Sequence, residues 1–198
     1  MVERKTIIGS KESFFHLLRH FSSVSDDEFA YFIQEGYTKF EIEKELSFIG
    51  SKFAFNFAKG PLDLLKILNS FTPQTTFMQS EDVCVLIWDM NNFGYDKPIG
   101  FDGIVSISNL NEAERKKIYK VNRGNFSVYS YTSDVLLPTL QVVLIATEQE
   151  GCLRMKTAFS GTYAPPFPSE WMNEFQKGNA QEFWDTHAFI VVDSNTLK

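Results

Sequence analysis

The chain has 198 residues, 43% hydrophobic and 22% charged, enough to bury a core as one domain or as one domain with a helical extension. A net charge of −6 excludes a protein held to nucleic acid by bulk charge alone, and no apolar run reaches membrane-spanning length. Twenty phenylalanines call for a large aromatic core and an apolar contact surface, because Phe has no polar handle.

The first third reads as helices. Ser10 is placed to cap a helix whose stripe is Phe14, Phe15, Leu17, Leu18 and Phe21. Ser25 with Glu28 matches a capping box, followed by Phe29, Phe32 and Ile33, and Gly36 closes that helix. Thr38 with Glu41 is a second box, opening a segment through Ile42, Leu46, Ile49 and Phe53 toward Phe57. Gly60-Pro61 breaks the chain and starts a short helix at 62–71. Glu41, Glu43 and Glu45 on the Thr38 helix would repel phosphates, which argues against a DNA-reading role there.

Beyond Thr72-Pro73 the pattern turns to strands. Val83–Trp88 is a continuous β-prone run, as a strand covered on both faces would be. Further strands are expected at 103–108, 126–131, 139–146, 152–160 and 188–192, with an exposed helix at 111–120 and short helices at 169–176 and 180–185. The loop 94–103 separates the first two strands. The fold class is α+β, with N-terminal helices packed on a mixed or antiparallel β-sheet. The division is a helical region at 1–75 and a sheet domain at 76–198, or the two as one compact unit.

Cys84 and Cys152 stand far apart beside apolar runs and read as two free thiols, with one long-range bridge as the alternative. No CxxC pair points to zinc, and His16 and His20 lack a third ligand, so neither a metal nor another cofactor is expected. The chain reads as cytoplasmic, with no membrane partner.

Chemistry concentrates near the end of the chain. Strict alternation along 152–160 puts Leu153, Met155, Thr157 and Phe159 on the core face. Arg154, Lys156, Ala158 and Ser160 then share the other, a row of two cations and a hydroxyl suited to phosphate or carboxylate. A solvated sheet face gives the same pattern. Tyr163 sits in the Pro165-Pro166-Phe167-Pro168 loop, where it could stack on a base or cover the core edge. His187 opens the last strand, next to Glu182 and Asp185, and imidazole is the natural acid–base near neutral pH. At a helix–strand junction, a capping or core histidine is the commoner outcome.

Thr157-Ala158-Phe159-x-Gly161, Pro165 and Glu182-Phe183-Trp184-x-x-His187-Ala188 together resemble a pattern in small bacterial proteins. Those proteins are similar at fold level to the barnase–EndoU–colicin–RelE ribonuclease toxin superfamily. The resemblance covers about residues 100–192 and implies metal-independent RNA cleavage through attack by the ribose 2′-OH, in a toxin or mobile-element setting. It implies His187 as acid–base, Arg154 and Lys156 holding phosphate, and Thr157, Ser160 or Tyr163 positioning the ribose or phosphate. It implies Arg123 as a further phosphate candidate. This chain is acidic where such toxins are basic. The competing expectation is a noncatalytic module that docks a protein partner on the Phe-rich N-terminal helices, with Phe183 and Trp184 packing the last helix and His187 bonded to backbone.

Overall fold

A computed structural model describes residues 5–192. The chain forms two compact units: one takes the residues up to Phe101 and then Pro138–Gly161, the other Asp102–Leu137 and the residues from Thr162 onward. In chain order the elements are β1 (Ile7–Ile8), α1 (Lys11–Leu17), α2 (Asp26–Gln34), α3 (Lys39–Leu46), β2 (Lys52–Phe53), α4 (Pro61–Ser70), β3 (Thr75–Met78), β4 (Val83–Asp89) and β5 (Gly100–Asp102). There follow β6 (Ile104–Ser106), α5 (Glu112–Arg115), β7 (Ile118–Arg123), β8 (Phe126–Ser133), β9 (Leu137–Thr139), β10 (Gln141–Gln149), β11 (Cys152–Ser160), α6 (Glu174–Thr186) and β12 (His187–Val192). Helices and mixed or antiparallel sheets make this an α+β fold.

The first unit is built on a five-stranded sheet ordered β1-β11-β10-β4-β3. Among the described residues β1 pairs parallel with β11, and the other pairs are antiparallel. Leu86, Trp88, Val142, Leu144, Met155 and Ala158 supply the face on which Phe14, Leu17, Phe32, Ile42 and Leu64 of the helices pack, all buried. A small sheet ordered β2-β5-β9 pairs Lys52 with Phe101 and Phe53 with Gly100.

Local signals set the helix starts. Ser10 and Thr38 close capping boxes with Ser13 and Glu41, and Pro61 occupies the first turn of α4. The expected Ser25–Glu28 box forms by half. Ser25 caps α2 by accepting the Glu28 amide, but the Glu28 carboxylate turns away and accepts the Leu62 and Asp63 amides at 3.2 and 2.8 Å. A side chain of α2 thereby caps α4, using the orphan donors every helix start leaves open. Gly60 permits this, since a Cβ there would stand 2.5 Å from Glu28 Cδ.

α3 stops at Leu46 instead of running toward Phe57. Lys52 explains the stop: its ammonium donates to the carbonyls of Leu46, Arg19 and Phe21 at 3.0, 2.6 and 3.0 Å. Burial lowers its pKa to about 8, which still leaves it charged at neutral pH.

The second unit holds a sheet ordered β6-β12-β8-β7, with β12 parallel to β8 and antiparallel to β6. Val128, Ile104 and Trp184 form one cluster of that unit, and Tyr131, Ala188, Ile190, Val105 and Leu110 another. The helix expected at 111–120 is a single turn, α5, after which the chain becomes β7. The two short helices expected at 169–185 are one helix, α6, begun by a box between Asn173 and Gln176.

Candidate functional site

The groups singled out by the C-terminal motif divide between the units. Arg154, Lys156, Thr157 and Ser160 belong to the first, while Arg123, Tyr163 and His187 belong to the second.

On β11 the register decides what each side chain can do. Ile145 pairs with Thr157 but Ala146 with Met155, a β-bulge that leaves Lys156 without a partner of its own on β10. An extra residue in a strand reverses the alternation beyond it. Leu153 and Met155 point into the core before the bulge; Ala158 and Ser160 do so after it. Strict alternation had put Ser160 on the cationic face and Thr157 on the core face, and the bulge overturns both. Ser160 is fully buried, and its hydroxyl lies 3.0 Å from the Lys52 carbonyl and 2.8 Å from the Phe101 carbonyl. It serves the fold and has no exposed atom to offer a substrate. Arg154 and Lys156 stay exposed, and Thr157 is half-buried.

In the second unit, His187 stands where α6 passes into β12. Its Nδ1 lies 3.0 Å from the Phe183 carbonyl and 3.0 Å from Thr186 Oγ1, and its ring stacks on Phe183 at 4.0 Å. A carbonyl can only accept, so Nδ1 carries the proton and Nε2 the lone pair in the neutral ring. Trp184, one turn away, donates Nε1–H to the Pro165 carbonyl at 3.1 Å and packs among Phe167, Phe183 and Phe189. The Glu-Phe-Trp-x-x-His-Ala motif thus locks a helix onto a proline loop and a sheet. Burial pushes the Tyr163 phenol up, and the Arg123 guanidinium lies 5.9 Å from the centroid of the Phe189 ring.

Asp102 is the polar anchor of that unit. Its carboxylate accepts from the Ile104 amide and from the Thr162 amide and hydroxyl, and burial pushes its pKa up against those bonds.

Two further features bear on function, the first unforeseen in the sequence and the second foreshadowed by its phenylalanine count. The first is a cleft of about 440 Å³ in the first unit, between the end of α4 and the β4 side of the large sheet. Leu68, Phe71, Leu86, Trp88, Cys84 and Leu153 line it. The signal was spread over five separate segments, which no local pattern joins. The second is a set of exposed apolar side chains: Ile33, Phe40, Phe48, Ile49 and Phe55, with Phe40 75% and Ile49 68% exposed.

His20 is half-buried in the turn after α1, with Nδ1 at 3.2 Å from the Ser51 carbonyl and 3.1 Å from Ser51 Oγ. Burial lowers its pKa to about 3, so it stays neutral. Among the described residues, no three His, Cys, Asp or Glu side chains gather as metal ligands. Both cysteines are free thiols. No helix among the described residues is long and apolar enough to cross a membrane.

No protein-family model matches the chain, and no curated protein does. Among solved structures it is similar to a conserved hypothetical protein from Toxoplasma gondii ME49. The identity is 13% and the TM-score 0.44, over 67% of this chain and 86% of that one.

Proposed function

We propose that this chain is a noncatalytic module that binds a protein partner through the phenylalanine-bearing surface of its N-terminal helices. The exposure of Phe40 carries the reading. It sits in the first turn of α3, three-quarters exposed, with Ile33 before it and Phe48, Ile49 and Phe55 after it also open to solvent. Single exposed apolar residues are ordinary, but five in one short stretch of a chain with a well-filled core call for a cover. The partner is a protein with an apolar strip that takes aromatic anchors, the residue type that dominates binding energy at interfaces. The bonding of His187 to backbone and the packing of Trp184 support the same reading, because both give the C-terminal motif a structural job.

The test is a photo-reactive amino acid at position 40, with position 177 on α6 as control. The expected result is one discrete protein adduct at 40 and none at 177, and binding of the purified partner that Phe40→Asp abolishes. No adduct at 40, or equal adducts at both positions, overturns the reading.

One feature favours the ribonuclease reading as a second possibility. The Phe183 carbonyl fixes the His187 tautomer so that Nε2 would be the atom that takes a proton. In that reading His187 removes the 2′-OH proton, Arg123 holds phosphate and Tyr163 positions the ribose, while Arg154, Lys156 and Thr157 belong to the other unit. Purified protein would then cleave RNA in EDTA, and His187→Ala would stop it. Intact RNA across pH 5–8 removes this reading and leaves the binding module standing.

A further inference from the structure

We propose that the cleft of the first unit binds an uncharged, mainly apolar small molecule, its body lying against Phe71, Leu86 and Leu153 and its solvent end at the Lys5–Glu148 pair. This is independent of the partner surface around Phe40.

The volume comes first. At about 440 Å³ the cleft falls within the roughly 300–1,000 Å³ of small-molecule sites. It is walled on two sides, by Leu68 and Phe71 of the α4 end and by Leu86, Trp88 and Leu153 of the sheet, so it encloses a guest instead of presenting a flat face.

The polar groups of its wall come second. The Trp88 indole N–H is already given to the Phe71 carbonyl at 3.1 Å. The Cys84 thiol sits 3.4 Å from the Ala146 carbonyl. The Asn69 amide accepts from the Ile7 amide at 2.9 Å and donates to the Ile7 carbonyl at 2.8 Å, so it stands in for a neighbouring strand of β1. These three side chains are engaged with backbone, while the other uncharged polar side chains of the lining, Thr72, Gln74 and Thr76, are exposed at its solvent side. The inner part of the cleft therefore offers a guest mainly contact area, which favours hydrocarbon or an aromatic ring.

Charge comes third. Lys5 and Glu148 are the ionisable side chains of the lining, apart from the Cys84 thiol, which burial keeps protonated. The two form a half-exposed ion pair with each other. A carboxylate guest would face Glu148 and an ammonium guest Lys5, and either would have to break the pair. A neutral guest leaves it intact, and a hydroxyl or carbonyl at its outer end can bond to the pair from the solvent side.

The experiment titrates N-phenyl-1-naphthylamine, a neutral fluorescent probe, into the full chain and follows probe emission. Displacement is then measured with 1-decanol, decanoate and decyltrimethylammonium, which share one hydrocarbon tail. Thr76 is exposed at the cleft wall, so Thr76→Trp adds bulk there without opening the core, and its circular dichroism and melting point report whether it stays folded. The expected result is saturable one-to-one binding, displacement by 1-decanol at concentrations about tenfold below those of either charged analogue, and probe affinity about tenfold weaker in folded Thr76→Trp. Absence of saturable binding, unchanged affinity in Thr76→Trp, or equal displacement by a charged analogue overturns the proposal.

Discussion

Asp102 holds Thr162 by two bonds, Oδ2 accepting the backbone amide at 2.9 Å and the side-chain hydroxyl at 2.6 Å. Thr162 is the first residue of the second unit's C-terminal stretch, and Asp102 is the first of its earlier one. The pair therefore fixes where two distant chain segments enter the same unit. Asp102→Ala strands the Thr162 and Ile104 amides and is expected to cost about 2–4 kcal/mol in urea unfolding, against about 1 kcal/mol or less for Thr162→Val, which leaves the carboxylate two amide donors.

The pH dependence of Asp102 and Glu28 has a defined sign. Burial is the largest influence on each carboxyl and raises its pKa in the folded chain. A raised carboxyl pKa means the folded state binds the proton more tightly, so the contribution is full below the ordinary carboxylate range. It is lost as pH rises through the folded value. Subtracting the unfolding midpoints of Glu28→Gln from those of the parent across pH 3–7 should give a parent contribution that falls as pH rises. A contribution that grows instead would show the amides of Leu62 and Asp63 outweighing desolvation.

Lys52 joins the carbonyls of Arg19, Phe21 and Leu46 through one ammonium. Lys52→Met keeps the hydrocarbon stem and leaves all three carbonyls short of a partner. The expected loss is about 3 kcal/mol by chemical denaturation, with faster amide exchange in the last turn of α3. A loss under about 1 kcal/mol would show that water replaces the ammonium.

Ser160 and Gly100 pack together beneath the Lys52 carbonyl. A Cβ on Gly100 would stand 2.4 Å from that oxygen and 2.8 Å from Ser160 Oγ. Gly100→Ala must move backbone, so it should destabilise more than Ser160→Ala, for which about 1–3 kcal/mol is expected. Thermal melts of both variants rank them directly.

Arg154→Ala and Lys156→Ala should change stability by no more than about 0.5 kcal/mol, since both side chains are exposed. Trp184→Ala should cost about 3–5 kcal/mol, because the indole is buried among three phenyl rings. This contrast matters for the RNA assay: a loss of cleavage in Trp184→Ala reports on folding.

Much of the fold was legible from short stretches. Ser10, Thr38 and Pro61 mark helix starts because a cap is a contact within one turn, and the run Val83–Trp88 declares a buried strand by composition alone. What escaped reading depends on distant partners. β7 carries Lys120, Asn122 and Arg123, poor strand formers held in place by pairing with β8. β1 and β2 are two residues long and exist only as neighbours of β11 and β5. The box at Ser25 looked complete locally, yet Glu28 found a better use 34 residues away.

The candidate site divides in the same manner. The His187 position at the end of α6 could be read from the helix pattern before it, because that is a local arrangement. The face of Ser160 could not, since a bulge between β10 and β11 is a property of two strands in register, and one extra residue turns every later side chain over. The sequence by itself determined where helices begin, which runs are buried and which motif ends the chain, since those follow from contacts a few residues apart. The tertiary structure alone decided which carboxylate caps which helix, which hydroxyl is spent on backbone and where the apolar cleft opens. Each of these needs atoms from segments that only folding brings within bonding distance.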